Sequence, residues 1–227
     1  MNYIEEYRKM FNNLTITKQP NFECSLILNN KSRYESVAQN TNIPWYVIGA
    51  LNVMEGNGKF TTHLANGDPL SKPTVHVPAN IPPGTGPFTW EESAIYILNN
   101  KKKNIFKDVD WTDIGCVLNA CEMWNGTGYR NKNIWSPYLF CGTNYYTKGK
   151  YVKDGPDGWD PNAVSQQSGI ATMLKKLIEM GKIDAFKDIS INEQVSPNIE
   201  TPQDSTPPSS ISSTDCLISA ILDIFKK

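Results

Sequence analysis

The chain has little of what marks the common metal, nucleic-acid and membrane classes. It holds only two histidines in 227 residues, His63 and His76, thirteen positions apart. That spacing fits neither a His-Glu-x-x-His helix nor a zinc finger, so no metal or other cofactor is expected. The five cysteines (Cys24, Cys116, Cys121, Cys141 and Cys216) include no Cys-x-x-Cys pair. An odd count at irregular spacing reads as reduced thiols. A formal charge of −1 leaves no electrostatic footprint for nucleic acid. Lys101-Lys102-Lys103 is the one dense basic run and reads as a solvated helix end. No apolar stretch approaches the ~20 residues of a membrane span. The first residues, Met1 to Arg8, lack a basic-then-apolar pattern. The expected location is therefore cytoplasmic when made.

What is present is a globular composition, with 39% hydrophobic, 11% aromatic and 20% charged residues. Tyr3, Ile4, Tyr7, Met10, Phe11 and Leu14 recur at helical spacing. Further helical turns run from Phe22 to Asn42, and Pro44 opens a new helix. Trp45, Val47, Ile48, Leu51, Val53 and Met54 make that helix apolar nearly all round, which predicts burial. It ends at Glu55-Gly56-Asn57-Gly58, where two glycines permit a reversal. Six of the 15 prolines fall between Lys59 and Phe88, and Thr-Val-His-Val alternates at 74–77. This predicts a loop carrying a short β-hairpin. Thr89-Trp90-Glu91-Glu92 is a capping box opening a helix to about Asn100. Asp110-Trp111 is the expected cap of the next helix, and Asp160-Pro161 the expected start of the last, which Gly181 ends. The expected class is α+β, mainly α, with a small β-hairpin lobe beside the helix that ends at Glu55.

The organisation expected is one main domain over 1–188, a Pro/Ser/Thr-rich linker over 189–213, and a short amphipathic helix over 214–227. The apolar face of the last segment ends in Lys226-Lys227, which makes it a candidate for peripheral membrane contact. A dock on the main domain or on a partner helix is the alternative. A monomer is the expected state.

Chemistry centres on Glu55. A Glu ending an apolar helix is costly to bury ionised, and burial raises a carboxyl pKa. A protonated Glu in a cleft is what glycosidic cleavage needs, since the leaving oxygen must receive a proton. The plain alternative is a helix-end Glu that reaches solvent. Asp68, in Asn66-Gly67-Asp68-Pro69, is a candidate second carboxylate or simply a turn residue before proline. In Trp124-Asn125-Gly126-Thr127-Gly128-Tyr129 the glycines allow close backbone approach to a ligand. Trp124 and Tyr129 can stack on sugar faces and Asn125 can bond an N-acetyl group, or the segment is a helix exit with packed aromatics. His76, Tyr138 and Tyr146 complete the candidate sugar contacts, though core packing explains such aromatics equally well. A Cys/His peptidase, with Cys141 and His63 or His76, lacks a nucleophile context.

The ordered series of motifs from about residue 33 to 175 resembles a family of phage and bacterial lysozyme-like muramidases. That family lies within the wider superfamily of goose-type lysozymes and lytic transglycosylases. The pieces are Ile43-Pro44-Trp45-Tyr46-Val47-Ile48, Met54-Glu55-Gly56, Asn66-Gly67-Asp68-Pro69-Leu70 and Val75-His76-Val77-Pro78-Ala79. They continue with Phe88-Thr89-Trp90-Glu91-Glu92-Ser93-Ala94, Trp124-Asn125-Gly126-Thr127-Gly128-Tyr129 and Ser136-Pro137-Tyr138-Leu139. The last are Tyr146-Thr147-Lys148-Gly149-Lys150-Tyr151-Val152 and Asp160-Pro161-Asn162-Ala163-Val164.

The resemblance implies a lysozyme-like fold and peptidoglycan glycan strands as the partner. It implies cleavage between N-acetylmuramic acid and N-acetylglucosamine, with Glu55 as general acid and Asp68 as second carboxylate. Family members usually carry Ser after the Glu, where this chain has Gly56. Related transglycosylases carry Tyr-Asn-Gly where it has Trp124-Asn125-Gly126, so no Tyr hydroxyl is available there. The expected role is an endolysin or wall-lytic enzyme acting on the cell wall after release. The alternatives are a lytic transglycosylase forming a 1,6-anhydro product, and a non-catalytic wall-binding or phage structural module.

Overall fold

The computed structural model describes residues 2–101, 103–153 and 155–187, all within the unit Met1–Ser190. The linker at 189–213 and the segment 214–227 expected above lie outside the described residues. The fold is α+β and mainly helical, as the sequence predicts. No described helix is long and apolar enough to cross a membrane.

The chain begins with α1 (Tyr3–Asn12), whose first turn is capped by the Asn2 side chain accepting from Glu5 N. Helices α2 (Asn21–Asn29) and α3 (Lys31–Thr41) follow, and α3 stops at Asn42 in a left-handed conformation. Next comes α4 (Trp45–Gly56), in which every residue from Val47 to Met54 is buried. A helix apolar on all sides has no solvent face to offer, so it becomes the axis of the fold. Helices α2 and α3 and the last described helix, Ile170–Glu179, pack around it. Asn57 and Gly58, both at positive φ, reverse the chain directly after α4.

The segment 59–88 forms no strand. Its sole bridge among the described residues joins Thr62 to Pro69. The hairpin expected at 74–77 is therefore corrected. The N–H groups of Val75 and His76 that a ladder would use are both taken by the Asp68 carboxylate. The segment is held down by buried Leu64 and Leu70 and by His63, which is 1% exposed. His63 Nε2 donates to the Lys72 carbonyl at 3.0 Å, and Nδ1 pairs with the Ser93 hydroxyl at 2.6 Å.

The capping box forms as expected. Thr89 and Glu92 cap each other's backbone at the start of α5 (Trp90–Tyr96), and the chain runs on through a π-helical stretch to Lys101. After α6 (Lys103–Phe106) comes α7 (Ile114–Asn125), whose cap is Asp113 rather than Asp110. Asp110 closes a turn on Thr112 instead. Helix α8 (Pro137–Phe140) is a single turn with Pro at its start. Strands β1 (Lys150–Tyr151) and β2 (Trp159–Asp160) form the two-stranded antiparallel sheet, with Lys150 opposite Asp160. The last described helix, α9 (Ile170–Glu179), opens after Gly169, nine residues later than Asp160 suggested.

Helices α1 and α7 approach closely at Gly115. A Cβ there would lie 2.2 Å from the Ile4 carbonyl oxygen, which is backbone and has little room to yield. Gly115→Ala is expected to cost about 1–3 kcal/mol by overpacking. Thermal denaturation reads this as a Tm several degrees lower, and an unchanged Tm would contradict so tight a contact.

Candidate functional site

Glu55 sits in the last turn of α4 and is half-buried. Two side chains from distant parts of the chain converge on its Oε1. Trp124 Nε1 donates from the end of α7 at 3.0 Å, and Tyr138 Oη donates from α8 at 2.8 Å. Trp124 is 5% exposed and stacks on Phe106, with centroids 5.6 Å apart and planes 28° from parallel. Its indole N–H can only donate. Tyr138 is 8% exposed. Burial, and then the adjacent Glu55 charge, push its phenol pKa well above the ordinary value of 10.0. It remains a protonated donor at neutral pH and well above it. The carboxyl is thus oriented, with one oxygen anchored by two donors.

Asp68 is built differently. It is 6% exposed, and its lone pairs are spent on its own loop. Oδ2 accepts from Val75 N at 2.8 Å, His76 N at 2.9 Å and Asn66 Nδ2 at 3.2 Å. Oδ1 accepts from His76 Nδ1 at 2.6 Å. Burial pushes this carboxyl up, but the His76 backbone and ring and the Val75 N–H outweigh it and hold the pKa at about 2. A carboxylate of that acidity, with four donors in place, is a poor base for a water molecule. The turn-residue alternative describes Asp68 better than the second-carboxylate one.

The sugar-contact candidates divide. Trp124 and Tyr138 are brought together, but as donors to Glu55 rather than as exposed platforms. Asn125 is exposed at the end of α7, one residue beyond Trp124. The His76 side chain is 78% exposed on the loop tip, with its ring tied to Asp68. Tyr129 and Tyr146 are each only 8% exposed, which corrects their expected role as stacking surfaces. Tyr129 packs edge-on against Tyr151 and Trp159 and accepts from Tyr151 N. Tyr146 donates to the Gly149 carbonyl and accepts from Ser165 N, clasping the loop between them.

Beneath α7, Glu122 is 1% exposed and accepts from Tyr7 Oη at 2.5 Å and Arg130 Nε at 2.8 Å. This buried cluster ties the turn after Gly126 back to the helix that carries Trp124. Phe106 and Gln167, which touch Trp124 and the α4 carbonyls respectively, carry no sequence signal that marks them. A separate cavity of about 370 Å³, lined in part by Trp45, Tyr46, Trp111 and Asp184, lies at the start of α4. Ten residues of helix, roughly 15 Å at 1.5 Å each, part it from Glu55.

The described thiols take no part in this site. Cys141 is buried, burial pushes its pKa up, and its Sγ donates to the Ser165 carbonyl. Burial likewise pushes Cys121 up to about 12. With His63 committed to Ser93 and Lys72, no activated Cys/His pair exists among the described residues. The same residues hold no cluster of three or more His, Cys, Asp or Glu side chains suited to a metal ion. No protein-family model, curated protein or solved structure matches the chain.

Proposed function

We propose that the protein cleaves the glycan strands of peptidoglycan between N-acetylmuramic acid and N-acetylglucosamine, with Glu55 as the general acid. The observation that carries this is the placement of Glu55, half-buried in the last turn of α4 with Trp124 and Tyr138 both donating to its Oε1. The substrate class comes from the motif series around Glu55. The Glu55 carboxyl protonates the glycosidic oxygen, the bond from that oxygen to the muramic C1 breaks, and positive charge spreads over C1 and the ring oxygen. Oε1 keeps its two donors throughout, so the carboxylate formed in this step is stabilised where its charge develops.

The commitment of Asp68 to its own loop favours a route with one carboxylate. In it, the Glu55 carboxylate takes the proton of the muramic 6-hydroxyl as that oxygen attacks C1. The product is a 1,6-anhydro sugar, no water is consumed, and the proton returns to Glu55. Digestion of purified sacculi in isotope-labelled water, followed by mass spectrometry, tests this. Anhydro-muropeptides, one water lighter than the hydrolytic products and free of label, are the expected result. Labelled reducing ends as the main product would sink the single-carboxylate route and return the reading to a hydrolase.

A further inference from the structure

Gln167 has no place in the motif series, yet it reaches the backbone directly behind Glu55. Its Nε2 donates to the Val53 carbonyl at 2.6 Å and lies 3.4 Å from the Met54 carbonyl. Both belong to the last turn of α4, where carbonyls lose their intrahelical partners. The chain's own reversal supplies some donors. Asn57 N reaches Val53 O at 3.0 Å, Gly58 N reaches Asn52 O at 3.2 Å, and Lys59 N reaches Gly56 O at 3.0 Å. No bond of this set serves Met54 O, the carbonyl joined to the Glu55 nitrogen.

The segment that carries Gln167 is clamped by contrast. Ser165 N donates to Tyr146 Oη at 3.0 Å, Ser168 N to Glu23 Oε1 at 3.2 Å, and Gly169 N to the Cys141 carbonyl at 2.8 Å. A Cβ on Gly169 would lie 2.3 Å from the Leu139 carbonyl oxygen, so the backbone there is pressed against α8. That helix bears Tyr138. One clamped strip of chain therefore abuts the helix carrying a Glu55 donor and also grips the turn carrying Glu55.

We infer that Gln167 is a positioning residue for Glu55, fixing the last turn of α4 so that Oε1 meets both Trp124 and Tyr138. The inference rests on the reading of Glu55 as the acid. Misplacing a catalytic group by a fraction of its bond length to the substrate lowers turnover steeply and leaves binding of the rest of the substrate intact.

The Trp124 indole N–H is a direct reporter, because it donates to Glu55 itself. Its signal in a nitrogen–proton correlation spectrum of the full chain is assigned by its loss in Trp124→Phe. In Gln167→Leu that signal is expected to shift and to exchange faster with solvent, while the other five indole signals stay in place. The kcat is expected to fall about tenfold with KM unchanged. Gln167→Lys is expected to restore the signal, because an ammonium group donates to the same carbonyls at a helix C-terminus. An unmoved Trp124 signal in Gln167→Leu overturns the inference whatever the rate does. A shift of all six indole signals that Gln167→Lys does not reverse also overturns it, since that marks general packing. If the wild type cleaves no glycan, the Glu55 reading fails, while the indole signal still decides the role of Gln167.

Discussion

Glu55→Gln is expected to lower the rate of glycan cleavage by about 10²–10⁴-fold with no loss of fold, the range that general acid catalysis supplies. The substitution is close to isosteric. A Gln carbonyl oxygen in the place of Oε1 still accepts from Trp124 Nε1 and Tyr138 Oη, which are 3.0 Å and 2.8 Å away in the wild type. The amide NH₂ replaces the acid oxygen and has no proton of carboxylic acidity to give. Stability therefore changes little, while chemistry stops. Clearance of a cell-wall suspension followed by turbidity, beside a thermal melt of each protein, measures both quantities. Equal clearance by wild type and variant would refute Glu55 catalysis. It would move the protein to the wall-binding alternative, in which the same residues form a groove without chemistry.

What the sequence reveals and what it hides follow from the range of the interactions involved. The burial of α4 is written in its composition, because a helix apolar on every face has one place to go. The Thr89–Glu92 box is local, and it forms as written. Asp160 shows why local signals also mislead. Its carboxylate accepts from Asn162 N and Ala163 N, the bonds an N-cap makes. No helix follows, because distant groups claim the next backbone atoms. Gly149 N takes the Ala163 carbonyl, and Tyr146 Oη takes Ser165 N. The alternation at 74–77 fails in the same way once Asp68 has taken two ladder donors.

The candidate site is legible to the same extent. Glu55 stands out because it ends an apolar helix. Its donors lie 69 and 83 residues away, and no spacing rule joins them to it. Aromatic residues rich in one stretch look alike in a sequence, whether they face a sugar, a carboxylate or the core. Burial separates them. It places Tyr129 and Tyr146 in packing, Trp124 and Tyr138 behind Glu55, and leaves Asn125 and His76 exposed.

Asp68→Asn is expected to weaken the fold and to spare the chemistry. The carboxylate is the hub of its loop, receiving two backbone N–H groups, the Asn66 amide and the His76 ring. An Asn in its place offers one accepting oxygen and turns an NH₂ toward donors. Stability at neutral pH is expected to fall by about 1–3 kcal/mol, the cost of stranding donors of this kind. Because Asp68 is held at about 2, far below an ordinary carboxyl, its contribution is complete above about pH 4 and drains away as pH falls toward 2. The variant has no such group to titrate. Denaturant melts at a series of pH values should show wild type ahead at neutral pH, with the gap closing between about pH 4 and 2. At a temperature where both proteins are folded, turnover should stay within a few-fold of wild type. The opposite pattern, intact stability with turnover abolished, would identify Asp68 as the base that activates water in a hydrolase. The single substitution thus separates a carboxylate that builds a loop from one that performs catalysis, because only the first ties its effect to pH-dependent stability.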